Sequence, residues 1–127
     1  TASNFCETIV GKGALKSATP TQKIVILENT LSNAAQVICD IYSRFLFESR
    51  FFEARKQGPV NAEETKKIML EAQIEAYGDG LDHNYLHPYM WTWKPHYYDS
   101  DYSFYNYPYA FGSLLAKGLY ARYQKDP

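Results

Sequence analysis

The sequence has few cysteines, no surplus of either charge and no long apolar run. Cys6 and Cys39 are its two thiols in 127 residues. Two cysteines cannot build a disulfide-dense secreted scaffold, and no Asn-x-Ser/Thr sequon occurs. A reducing compartment, the cytoplasm, is therefore expected. Both thiols are expected to be buried as small apolar groups. Thirteen Lys and Arg stand against fourteen Asp and Glu, a formal charge of -1. That balance lacks the basic face of a nucleic-acid binder, so no nucleic-acid partner is expected. No apolar stretch reaches the ~18 residues of a membrane span, and no basic-then-apolar leader pattern opens the sequence. No membrane partner is expected. The hydrophobic fraction of 46% is ordinary for a globular chain, and the length fits one unit over 1–127.

What the sequence does have is aromatic side chains: twelve Tyr, seven Phe and two Trp. They are unevenly placed. Eleven of the twelve tyrosines fall between Tyr77 and Tyr123, along with both Trp and all three His. The first half reads as scaffold and the second as a region rich in hydrogen-bonding groups. The sequence starts Thr1-Ala2-Ser3 without Met and stops at Lys125-Asp126-Pro127, just after an apolar helical run. We expect a piece of a larger protein.

Periodicity predicts an all-α fold of long helices. Ala2, Phe5, Cys6, Ile9 and Val10 have helical spacing, and Gly11 and Gly13 are expected to end that helix. Thr19-Pro20-Thr21-Gln22 is a helix start with a capping box. From it, Leu27, Leu31, Ala34, Ile38, Ile41, Phe45 and Phe52 form a stripe that predicts one helix to Gly58-Pro59, packed on two sides. Its charged end (Glu48, Arg50, Glu53, Arg55, Lys56) is expected to be solvated on one face. A further helix opens at Asn61, with Glu64 three residues on, and ends before Gly78. Residues 78–101 read as irregular, with a candidate extended piece near Met90–Tyr97. Helical spacing returns from Tyr102, where Pro108 either kinks the helix or marks its start. Gly112, Ala116 and Gly118 are small enough for close helix approach.

Several constellations bear on chemistry. His83 and His87 have the i, i+4 spacing of a zinc pair. Gly80 before them and Pro88 after them oppose a regular helix, so imidazoles bonded to the backbone are the main expectation. Asp79-Gly80-Leu81-Asp82 lacks the alternating carboxylates of a calcium loop and reads as a turn. The strongest feature runs from His96 to Tyr109, with six tyrosines in fourteen residues. Phenols and an imidazole can donate to a developing oxyanion. In a helix Tyr102, Tyr105 and Tyr109 would share a face, with His96 joining from the preceding loop. The competing expectation is an aromatic helix end whose hydroxyls meet solvent or backbone.

Longer phrases carry a resemblance. Ile38-Cys39-Asp40-Ile41-Tyr42-Ser43-Arg44-Phe45-Leu46-Phe47-Glu48, Glu75-Ala76-Tyr77-Gly78-Asp79, His87-Pro88-Tyr89-Met90-Trp91, Lys94-Pro95-His96-Tyr97-Tyr98 and Ser103–Gly112 resemble oligoendopeptidase F, in order. These bacterial zinc peptidases are related to thimet oligopeptidase. The resemblance implies part of a helical catalytic domain that cleaves oligopeptides. The family's H-E-x-x-H motif does not occur in this sequence. Thr1-Ala2-Ser3-Asn4-Phe5-Cys6-Glu7 resembles the stretch immediately after the family's third zinc ligand, a Glu. The resemblance thus implies zinc in the parent enzyme but no metal ligand in this chain, and an isolated chain without activity. It implies that His96 and Tyr105 bind the substrate backbone or stabilise the oxyanion, with Tyr102 and Tyr109 as further substrate-binding residues. Glu7 is the candidate carboxylate supporting a metal ligand, the competing expectation being an ordinary surface or capping role. Where related enzymes have a glycine-rich loop, this sequence has Tyr97-Tyr98-Asp99-Ser100-Asp101. The alternative is a helical peptide-binding or scaffold module without chemistry. Exposed helix faces also make self-association an expectation.

Overall fold

The computed structural model describes residues 2–126. Thr1, which opens the phrase likened to the third-ligand segment, lies outside them, as does Pro127. The fold is all-α, and the described residues include no strand. The helices are α1 (Ala2–Ser17), α2 (Pro20–Ala35), α3 (Ile41–Gln57), α4 (Ala62–Tyr77) and α5 (Tyr107–Lys125). The chain divides into two compact units, Ile38–Tyr107 and the remainder on either side of it.

The flanking unit contains α1, α2 and α5. Helix α1 continues through Gly11 and Gly13 to Ser17, contrary to the expected stop. A glycine weakens a helix by about 1 kcal/mol without forbidding it, and the Ala14–Ser17 turn beyond is compatible with continuation. Helix α2 opens as the sequence predicts. The Thr19 hydroxyl accepts from the Gln22 amide at 3.4 Å, and the Gln22 side chain accepts from the Thr19 amide at 2.9 Å. In α5, Gly112 and Ala116 are buried, as their small size predicts. Around Gly118 the space is open.

A π-helical turn, Gln36–Asp40, joins α2 to α3, so the chain stays helical from Pro20 to Gln57. The stripe expected to be packed on two sides is instead exposed at Leu27, Leu31, Ile38, Phe45 and Phe52. Leu27 and Leu31 lie before the π turn, on α2, which buries no residue; beyond it the extra residue of the π turn shifts a stripe counted at α periodicity off the buried face of α3. The buried side chains of α3 are Ser43, Phe47 and Glu48. Glu48 is thus buried although it belongs to the charged segment expected to be solvated. Arg50, as predicted for the surface, pairs there with Glu75 of α4.

In the central unit α3 and α4 pack together as a hairpin. Asn61 and Glu64 form the predicted capping box, with bonds of 3.0 and 3.1 Å. Helix α4 ends at Gly78, whose φ of +53° is the left-handed conformation that favours glycine. The core is Phe47, Met69 and Ala72, with Leu46, Phe51, Ile68, Met90, Trp91 and Tyr97 packed against it. Beyond Gly78 the chain runs as short 3₁₀ turns, so Met90–Trp93 and Pro95–Tyr98 are turns and not the extended piece expected. Buried Gln73 pins this segment to α4: its amide donates to the His87 carbonyl at 2.9 Å and accepts from the His87 amide at 3.1 Å.

Candidate functional site

His96 sits in the turn opened by Pro95, whose fixed φ suits a first helical position. Three neighbours fix the ring. Tyr97 lies at 4.4 Å and Tyr105 at 6.1 Å between ring centroids. The Asn106 side-chain nitrogen bonds His96 Nε2 at 2.9 Å. With the amide as donor, Nε2 accepts and the proton resides on Nδ1. Burial, then the Arg44 guanidinium and the Lys94 ammonium, lower the His96 pKa from its ordinary 6.5. The imidazole is therefore neutral at neutral pH, with one N–H to donate.

Tyr102 meets Tyr105 edge to face at 5.2 Å. Neither residue is helical. Pro108 stands at the second position of α5, and Tyr102 and Tyr105 lie in turns before it. The shared helical face expected for Tyr102, Tyr105 and Tyr109 does not form. Consecutive turns bring the two rings together instead: the Tyr102 amide donates to Asp99 at 3.3 Å and the Tyr105 amide to Tyr102 at 3.2 Å.

Between them, Phe104 takes φ +55°, the one non-glycine residue with positive φ among the described residues. That conformation costs an L-residue about 1–2 kcal/mol. Two anchors hold it. The Phe104 ring contacts Phe45 at 5.5 Å and Phe52 at 5.6 Å, both on α3. The Phe104 amide donates to the Glu48 carboxylate at 2.8 Å. Burial raises the Glu48 pKa, and the Phe104 hydrogen bond opposes the rise. Sequence reading missed Glu48 and Asn106. Glu48 stands in a charged run that resembles a solvated face, and nothing local marks Asn106 as a partner of His96.

Tyr109 and Glu7 belong to the flanking unit, where both line a cleft of about 590 Å³. Its walls carry the amide side chains of Asn4, Asn29, Asn33 and Gln36 among apolar residues such as Leu15, Ile26 and Leu27. His83 and His87 each bond to the backbone, as expected of imidazoles in a loop. His83 Nε2 bonds the Gly78 carbonyl at 3.1 Å, and His87 Nδ1 accepts from the Tyr89 amide at 3.2 Å. Asp79-Gly80 forms a turn, and Asp82 caps the next one through the Asn84 amide at 2.9 Å. Cys6 is exposed and Cys39 half-buried, so the expected burial of both thiols does not hold. Among the described residues no three His, Cys, Asp or Glu side chains form a group able to hold a metal ion. No described helix is long and apolar enough to cross a membrane.

Comparison with known proteins finds no matching family model, no matching curated protein and no matching solved structure.

Proposed function

We propose that this chain is the substrate-facing part of a cytoplasmic zinc oligoendopeptidase, and that its role is to bind a peptide and stabilise charge on the scissile carbonyl oxygen. The observation that carries this reading is the pairing of a neutral, amide-anchored His96 with Tyr105. The sequence resemblance to oligoendopeptidase F supplies the reaction class. Zinc, held outside this chain, would polarise the carbonyl and activate water. The resemblance puts the zinc ligands outside this chain, so the part proposed for its side chains is donation and orientation. His96 Nδ1–H and the Tyr105 hydroxyl are the donors to the oxygen. Tyr102 buttresses Tyr105 through its ring. Tyr109 and Glu7, within the flanking unit, keep the roles the resemblance implies, substrate contact and supporting carboxylate.

The test is kinetic. In the full enzyme, His96→Ala and Tyr105→Phe each lower kcat about 100-fold, the usual consequence of losing one oxyanion donor. Bound zinc, measured by elemental analysis, stays at the level of the unaltered protein. Near-normal kcat in both variants would overturn the assignment.

The four carboxamides in the mainly apolar cleft favour a second reading, a helical module that binds peptides without cleaving them, since carboxamides pair readily with peptide backbone. The two readings differ upstream. The peptidase reading expects the reading frame to encode Glu immediately before Thr1 and H-E-x-x-H further back; a frame with neither favours the binding module.

A further inference from the structure

Glu48 is a costly residue to bury. It sits on α3 beside Phe47, in the core region of the hairpin, where an apolar side chain of equal length would avoid desolvating a carboxylate. Its bond reaches 56 residues along the chain, to the amide of Phe104. That amide belongs to the one non-glycine residue of left-handed conformation among those described. The same residue stands in the turn between Tyr102 and Tyr105, whose rings are in contact and lead to His96.

We infer that Glu48 is the positioning residue of the tyrosine turn: by accepting the Phe104 amide it holds the left-handed backbone that brings Tyr105 against His96. The inference rests on the peptidase reading for its consequence in catalysis, though not for its geometry. Phe45 and Phe52 fix the Phe104 ring from one side, and the Tyr105-to-Tyr102 and Tyr107-to-Phe104 backbone bonds close the turns around it, but the N–H of the Ser103–Phe104 peptide plane has the Glu48 carboxylate as its partner. The carboxylate fixes that plane. With the N–H unanchored, Phe104 relaxes toward negative φ, and the Tyr105 side chain swings away from the imidazole. Glu48 touches no reacting atom in this scheme. It acts through the backbone, and its loss should affect turnover more than substrate affinity.

Two variants separate the hydrogen bond from simple packing. Glu48→Gln keeps an acceptor oxygen at the same reach; Glu48→Met keeps the length and removes the acceptor. In the full protein, Glu48→Met should lower kcat at least about 10-fold with KM within about 2-fold, since small misplacements of a catalytic group are costly. Glu48→Gln should keep kcat within about 3-fold of normal. Hydrogen exchange at the Phe104 amide should follow the same order, slow in the unaltered protein and in Glu48→Gln, fast in Glu48→Met. A folded Glu48→Met protein with normal kcat and a protected Phe104 amide would overturn the inference. So would Glu48→Gln behaving like Glu48→Met. If Glu48→Met does not fold, the unaltered protein decides: a Phe104 amide exchanging as fast as an open amide rules the anchor out, and a protected one supports it. If the protein cleaves no peptide, the peptidase reading fails by itself, and the exchange rates of the three proteins still decide the role of Glu48.

Discussion

His96 shows how little the chain needs to make a neutral donor. Burial and two nearby cations, Arg44 and Lys94, disfavour its protonation, and Asn106 sets the tautomer. The lowered pKa has a consequence for stability. As pH falls below the ordinary 6.5, the unfolded chain takes up this proton before the folded one does. The contribution is absent above that value, and stability is lost as pH drops toward the lowered pKa. His96→Gln should therefore lose less stability between about pH 7.5 and 5.5 than the unaltered protein, measured by urea unfolding at both pH values. Equal losses would mean that His96 titrates normally. The residues of this site were legible to different degrees. His96, Tyr102 and Tyr105 stand out in sequence because they are chemically conspicuous and close together. Glu48 and Asn106 do not, because their importance comes from a partner that only folding supplies.

At the scale of elements, local chemistry was readable wherever it was self-contained. Both capping boxes and the positive-φ glycine that ends α4 depend on residues within one turn, and both boxes form as predicted. Thr19→Ala and Asn61→Ala should each destabilise the fold by about 1 kcal/mol, seen as a lower urea midpoint at unchanged slope. The corrected course of α1 makes the opposite prediction. A Cβ added at Gly11 or Gly13 meets nothing within 4 Å, so Gly11→Ala and Gly13→Ala should each stabilise by about 0.5–1 kcal/mol. If either variant is destabilised, the helix does not continue through that position. The π turn at Gln36–Asp40 was not legible, since Gln-Val-Ile-Cys-Asp is compatible with an ordinary helix. The turns before Pro108 were half legible. Proline fixed the start of α5, but a regular period drawn through Tyr102, Tyr105 and Tyr109 ignored the break it imposes.

At the scale of the molecule the buried core is small for a chain so rich in aromatics. Helices α1 and α2 bury no residue fully, while Ile24, Leu31, Phe111 and Leu114 are more than 60% exposed. Apolar faces of this kind favour association. The purified 127-residue chain should self-associate with rising concentration in sedimentation velocity, and a strictly monomeric profile at high concentration would count against this. It should also lack peptidase activity, and chelator-sensitive cleavage by this chain alone would contradict the division of labour proposed above. The Glu48–Phe104 bond has one more consequence, in the order of events at the ribosome. Synthesis reaches Phe104 56 residues after Glu48. At ordinary translation rates the gap lasts roughly 3–11 s. For those seconds the Phe45 and Phe52 rings and the Glu48 carboxylate have emerged without the residue they contact. Synonymous codons that slow the stretch between α3 and Phe104 lengthen that wait and should lower the yield of folded protein.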